Sequence, residues 1–235
     1  MRSIAWFVLG IAWPLGTIES QSSRAPEKLL DATSTAGLEL VHARAETVTY
    51  RGRQALHVLD NHENGKDGLP PAALAIVSAS EFTEGTIQID VAGRPRPGAS
   101  DGARGFIGLA FHVRPGGSPY EAFYLRPTNG RADDQLRRNH SAQYIVEPDF
   151  PRERLRSEHP GEYESYVDLE AGAWTRMRIV VHAGKAQLYV NGAAQPCLIV
   201  DLKLTGGGGR IGLWLGPETD GYFSSLTVIR EPAGK

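Results

Sequence analysis

The chain is predicted to be an all-β protein, a sandwich or a barrel. Three observations predict this. From Leu38 onward, apolar and polar residues alternate with period two, the pattern of strands with one buried face. Turn signals break that pattern roughly every 8–12 residues, the spacing of a sandwich or barrel. No segment carries a strong amphipathic helical period, so strands must supply the core; 151–157 could make one helical turn. The chain has 235 residues, 41% of them hydrophobic, which is ample for one large core.

The elements follow in order. Met1, Arg2 and Ser3 make a short positive start, and 4–16 is an apolar run broken only by Pro14. About 13 apolar residues fall short of the roughly 20 that a membrane-spanning helix needs. Residues 1–20 are therefore expected to be a cleavable export signal, with cleavage after Ser20 despite a poor small-residue pattern there. A buried N-terminal strand or helix is the alternative. Residues 21–37 read as a linker and 38–231 as the folded domain. Strands are expected over 38–44, 47–51, 54–59, 73–77, 85–91, 106–114, 120–126, 141–147, 163–168, 174–182, 186–190, 197–200, 210–215 and 222–230.

Asn191-Gly192 is a strong tight-turn pair. "TGGGGR" at 205–210 lacks a following Lys-Ser/Thr and opens no helix, so it reads as a flexible connection and not a phosphate loop. Residues 94–105 read as a long exposed loop. Cys197 is the single cysteine, which excludes an intramolecular disulfide. Within "QPCLIV" it reads as a small buried hydrophobe.

Three C-terminal segments occur in a familiar order: "WTRMRIVVHAGKAQLYVNG", "GRIGLWLG" and "GYFSSLTVIR". In them Met177, Ile179 and Val181, then Ala186, Leu188 and Val190, then Ile211, Leu213 and Leu215 form successive apolar faces. The order resembles the concanavalin A-like lectin/glucanase superfamily, including laminin G-like domains. It is also similar to secreted bacterial 3-keto-disaccharide hydrolase domains. "FTEGTIQIDV" and "GFIGLAFHV" extend the resemblance. It implies two antiparallel sheets packed as a jelly-roll sandwich, and a concave sheet where ligands bind. It carries over no catalytic residue. The Glu-x-Asp-x-x-Glu strand of retaining glucanases is missing, with Asp90 alone in "IQIDVAG", and neither the Gln-Ile-His strand nor the Tyr-rich C-terminal strand of alginate lyases is present.

Alternate side chains of a strand share a face. In 106–114, Ile107, Leu109, Phe111 and Val113 read as core; Gly108, Ala110, His112 and Arg114 face outward. In 120–126, Phe123 and Leu125 read as core; Tyr120, Ala122, Tyr124 and Arg126 face outward. Small residues leave room for a ligand, tyrosines can stack on sugar rings, and arginine can fork onto hydroxyls or a carboxylate. The stretch from Tyr124 to Tyr144 follows directly and holds four arginines, two aspartates, two asparagines and a histidine. A second polar segment, "RLRSEHPGEYESYVDLE", is expected to put Glu162, Glu164, Tyr166 and Asp168 on one strand face.

Two readings of this cluster stand open. Arg137, Arg138 and Arg156 could be neutralised by Asp133, Asp134 and Glu164 in a salt-bridged lid. Or the cluster surrounds a pocket. In that case His112, Arg114, Tyr124, Arg126, Asn129, Arg131, Arg138, Asn139, Tyr144 and Tyr166 are the candidate ligand-binding residues. His140, Glu164 and Asp134 are the candidate acid–base groups, with arginine stabilising developing negative charge.

No cofactor is expected. "DNHENGKDG" at 60–68 has the composition of a hard-cation loop without the spacing of a helix-loop-helix calcium site, so a structural calcium ion is allowed and not required. No His-Glu-x-x-His spacing points to zinc. The formal net charge is −2 and the arginines lie among acids, which argues against nucleic acid as a partner. No membrane span is expected once the signal is cleaved. The expected partner is a carbohydrate or glycoside, and the expected location secreted or periplasmic. Three functions compete: a carbohydrate-binding module, a glycoside hydrolase or lyase, and a laminin G-like adhesion module without a small ligand.

Overall fold

A computed structural model describes residues 25–61, 72–204 and 206–231. The export signal at 1–20, and most of the suggested cation loop at 60–68, lie outside them. The described strands are β1 (Glu27–Lys28), β2 (Leu38–Val41), β3 (Ala43–Tyr50), β4 (Arg53–Asp60), β5 (Ala73–Val77), β6 (Gly85–Pro95), β7 (Ile107–Val113), β8 (Tyr120–Leu125), β9 (Ala142–Glu147), β10 (Glu164–Ser165), β11 (Thr175–His182), β12 (Lys185–Val190), β13 (Leu198–Asp201), β14 (Arg210–Leu215) and β15 (Thr219–Arg230). Two short helices, α1 (Gln135–Asn139) and α2 (Arg152–Glu158), flank β9.

They form two antiparallel sheets, a jelly-roll sandwich. The first runs β13-β12-β11-β6-β15-β4-β3, with β1 also paired to β15; the second runs β10-β9-β8-β7-β14-β5-β2. Period-two sequence becomes a core because register aligns the apolar faces. Met177 lies opposite Ile89 on one side and Val190 on the other; Ile179 likewise lies between Ile87 and Leu188. All six are buried. A fully buried side chain of this size stabilises by about 1.5–3 kcal/mol. The Cys197 thiol is half-buried, and burial raises its pKa to about 11, so it stays protonated at neutral pH.

The backbone differs from the expected pattern where local chemistry intervenes. His42 takes a φ of 53°, and there the chain leaves β2 in the second sheet and enters β3 in the first. Tight hairpins form at Arg51-Gly52 and Ala183-Gly184, each with two consecutive positive φ values. Asn191-Gly192 also turns with positive φ but leads into 193–197 before β13 begins. Part of the expected linker joins the fold: Glu27 and Lys28 pair with Val228 and Thr227, and Leu30 and Ala32 are buried. The expected strand at 163–168 shrinks to two residues, so its polar residues do not share one sheet face. α1 has no apolar face and was not expected; none of its residues is buried.

The second sheet matters most for the site. Every residue of β7 and β8 is buried, on both faces. Its outer face is therefore covered, and the covering leaves clefts. On the outer face of the first sheet, Tyr50 and Tyr222 stack at 3.7 Å and His57 stacks on Tyr222 at 4.6 Å. Trp174 meets Tyr50 edge-on. Among the described residues, no helix is long and apolar enough to cross a membrane.

Candidate functional site

A cleft of about 700 Å³ lies over the outer face of the second sheet. Register builds its floor. Gly108 sits opposite Tyr124 in the β7–β8 pair and opposite Trp214 in the β7–β14 pair. A Cβ at Gly108 would come within 2.8 Å of the Tyr124 Cβ, so only glycine lets the larger side chains lie there. Tyr124 and Trp214 stack at 4.5 Å with an interplanar angle of 18°. The Trp214 indole N–H donates to the Tyr120 hydroxyl at 3.2 Å. Phe106 meets Tyr124 edge-on at 6.1 Å. Tyr124 is 4% and Trp214 6% exposed, so a ligand meets a narrow aromatic wall and not an open platform.

Two carboxylates stand in the same cleft, Glu147 at the end of β9 and Glu153 on α2. Their environments push them apart. Burial, then the charge of Glu153, raises the Glu147 pKa. Burial also pushes Glu153 upward, but the hydrogen-bonded Arg152 guanidinium, a backbone hydrogen bond and the charge of Arg156 outweigh it, and its pKa falls.

A second cleft, of about 410 Å³, adjoins the first and shares Gly102, Phe106 and Arg152 with it. Arginines dominate its lining: Arg104, Arg126, Arg137, Arg152 and Arg156. Arg126 links the two clefts. Its guanidinium lies 5.0 Å from the Tyr124 ring centre and donates to the Tyr124 hydroxyl, to Gln143 Oε1 and to the His140 carbonyl at 2.7–3.0 Å. It is 3% exposed, and burial lowers its pKa.

His140, the residue that ends α1, lies 3.3 Å from Glu164 through Nε2 and 3.2 Å from Arg156 through Nδ1. Burial lowers its pKa; Glu164 opposes that shift, while Arg156, Arg126 and Arg152 add to it. Arg156 forks onto Glu164, with Nε at 2.9 Å and Nη2 at 2.5 Å.

The candidate residues thus separate. Tyr124, Arg126, Asn129, Asp134 and His140 line the two clefts, and Glu164 contacts His140 and Arg156 at the margin. Asp134 is committed to the backbone: its carboxylate caps α1 by accepting from the Arg137 N–H at 2.9 Å. Asn129 donates to the His140 carbonyl and accepts from Arg137 Nε.

The others stand elsewhere. Tyr144 is opposite Phe123 in register, hence on the inner face, and its hydroxyl donates to the buried Glu121. This corrects its expected place beside Tyr124; a one-residue difference in phase puts it on the other side of the sheet. His112 was expected outward with Gly108 and Ala110. A bulge opposite Arg210–Gly212, with a φ of 52° at His112, turns it to Glu121 Oε2 at 2.6 Å instead.

Arg114 lies beyond that bulge, beside the 207–209 glycines and away from the arginine cleft. Arg131 is exposed and pairs with Asp168 at 2.8 Å and Glu170 at 2.9 Å. Arg138 donates to the Ala132 carbonyl and to Gln135; Asn139 accepts from Gln135 on the exposed side of α1. Tyr166 is 49% exposed, because the chain has left the sheet after Ser165. Of the three arginines expected to be neutralised, only Arg156 pairs with its acid.

Sequence reasoning missed Trp214, Glu147, Glu153 and Arg104. For Trp214 the signal was present: in "GRIGLWLG" it alternates with the core residues Ile211, Leu213 and Leu215, which puts it on the face of Gly108. For Arg104, on a loop, period two says nothing.

One group among the described residues could hold an ion, the cluster of half-buried Glu84 with exposed His182 and Glu231. An imidazole with two carboxylates does not suit calcium, which prefers oxygen ligands in greater number. That cluster is not the 60–68 loop where the sequence allows calcium, most of which lies outside the described residues.

No protein-family model matches the chain. A comparison with curated protein sequences gave no match either. Solved structures match in fold. The carbohydrate-binding module CBM66 from Bacillus subtilis superposes with a TM-score of 0.51 at 8% identity, over 81% of this chain and 97% of that one. The exoplasmic/lumenal domain of VIP36, in a form bound to calcium and Man3GlcNAc, gives 0.53 at 11% identity over 83% and 86%. A Bacillus subtilis protein with a galectin-like fold gives 0.50 at 12% identity over 82% and 91%. At these identities the likeness is one of fold, a lectin-like jelly roll.

Proposed function

We propose that this is an exported carbohydrate-binding protein whose ligand lies in the joined clefts over the outer face of the second sheet. One observation carries the reading: the Tyr124–Trp214 wall and the buried Arg126 fork share that face, at the same end of the sheet. Aromatic faces suit the C–H faces of sugar rings, and few, fixed polar groups give orientation. The name of CBM66 as a carbohydrate-binding module and the Man3GlcNAc bound to the VIP36 domain support the same reading. The apolar N-terminal run supports export. A cleft of about 700 Å³ disfavours a flat adhesion module of the laminin G-like kind. Glycan-array screening followed by calorimetry tests the proposal. Tyr124→Ala and Trp214→Phe are expected to weaken binding at least tenfold while the protein still melts cooperatively. Absence of binding to every neutral and acidic glycan would sink it.

A second reading, a glycoside hydrolase or lyase with 3-keto glycosides as one substrate class, is favoured by the carboxylates. Glu147 would be held protonated more readily than Glu153, the division of labour of an acid and a base. Turnover abolished in Glu147→Gln, with the protein melting no lower than wild type, would establish it. Turnover lost only in His140→Ala or Glu164→Gln would move the chemistry to the arginine cleft.

A further inference from the structure

We infer that the ligand is an acidic glycan, with its oxyanion held in the arginine-lined cleft and the adjoining sugar ring against the aromatic wall. The inference rests on the carbohydrate reading above and names the ligand class. Five arginines line that cleft, and Asp134 is the acid among the lining residues. Glu153 and Glu164 add charge from the margin, but each is already engaged, by Arg152 and Arg156 respectively.

The other three arginines make their hydrogen bonds to neutral groups. Arg104 donates to the carbonyls of Asp101 and Ala103. Arg137 donates to Asn129 Oδ1 and to both oxygens of Thr128. Arg126 donates to a hydroxyl, an amide and a carbonyl, and its nearest carboxylate oxygen, on Glu164, stands 3.9 Å away. Positive charge therefore accumulates without matching negative charge. Holding like charges together while partly dehydrated costs free energy, and an entering anion would offset that cost. The Arg104 pKa falls, through burial first and the Arg137 charge second, and that of His140 falls through burial with the Arg156, Arg126 and Arg152 charges adding to it; Arg156, engaged by Glu164, is raised instead.

Guanidinium forks match carboxylate and sulfate oxygens in pairs, which neutral hydroxyls do not. The arginine cleft is continuous with the aromatic one through Phe106 and Arg152. A polymer with alternating or successive charged rings could therefore present a ring to Trp214 and an oxyanion to the arginines together. That continuity distinguishes an acidic sugar from a small free anion, which would use the arginines alone.

Calorimetry with matched pairs of oligosaccharides tests this. Oligogalacturonate and oligoalginate are each compared with their carboxyl-reduced counterparts, and a chondroitin sulfate oligosaccharide with its desulfated form. At least one acidic member is expected to bind tenfold or more tighter than its neutral counterpart, and to weaken about tenfold when salt rises from ~50 to ~300 mM. The half-buried pair is changed together, as Arg104→Gln with Arg137→Gln. This variant should bind the acidic and the neutral member of a pair with equal affinity while still melting cooperatively. Equal affinity within every pair would overturn the inference and leave the carbohydrate reading standing. Binding of neither member of any pair would overturn both. Inorganic sulfate binding as tightly as the acidic oligosaccharides would also overturn it, since the ring would then contribute nothing.

Discussion

Tyr124 and Tyr144 differ in consequence because they stand on opposite faces of the second sheet. Tyr124 meets Trp214 and Arg126; Tyr144 donates to Glu121, which also takes His112 and the backbone N–H groups of Lys203 and Leu204. Tyr144→Phe removes one donor from a fully buried carboxylate. It is expected to cost about 1–3 kcal/mol in denaturant unfolding and to leave glycan affinity unchanged. A loss of affinity without a loss of stability would put Tyr144 back at the site. Glu147 gives a pH-dependent expectation. Its folded pKa lies above the ordinary 4.5, so the native state holds the proton more tightly than the unfolded chain does. Stability from this group is then present below the unfolded value and lost as pH rises through the folded one. Glu147→Gln should melt higher than wild type at pH 7 and level with it near pH 4. A variant that melts lower at pH 7 would contradict the assignment.

At the scale of elements, α1 carries Arg137 to the arginine cleft and ends on His140, although it buries no side chain of its own. Its start depends on the Asp134 cap. Asp134→Ala is expected to cost about 1 kcal/mol in unfolding and to lower affinity by loosening Arg137. The same change removes a nearby negative charge, so a gain in affinity for acidic ligands would show that the charge outweighs the positioning. Strands were the legible part of the sequence. Alternation in 174–182 and 186–190 locates β11 and β12 to within a residue, because each has one buried and one open face. The bulge at His112 was not legible, since nothing in "GLAFHV" marks a positive φ at a non-glycine residue. Nor was α1, whose polar sequence is held by a cap and by hydrogen bonds from Arg137 and Arg138 and not by an apolar face.

For the whole molecule, the sandwich supplies a covered sheet face on which loop and helix segments leave a two-part cleft. The near-neutral total charge conceals that arrangement: acids are distributed widely, while arginines from 104, 126, 137, 152 and 156 converge on one place. Convergence of residues from 104 to 156 is a tertiary property, which is why the polar stretch at 124–144 could be read as a lid or as a pocket. Half of it is each. Arg131, Arg138 and Asn139 tie the surface together, while Tyr124, Arg126 and Asn129 face the clefts.

Two of the four tryptophans, Trp6 and Trp13, lie in the N-terminal apolar run; the other two report on opposite sides of the sandwich. Trp214 stands in the cleft and Trp174 on the outer face of the first sheet, beside Tyr50. Their indole N–H resonances, assigned through Trp174→Phe, can be followed by NMR during titration with the matched acidic and neutral oligosaccharides. Binding over the second sheet predicts that the Trp214 signal shifts and saturates while the Trp174 signal stays in place. A saturating shift confined to Trp174 would put the ligand on the other sheet and contradict the account.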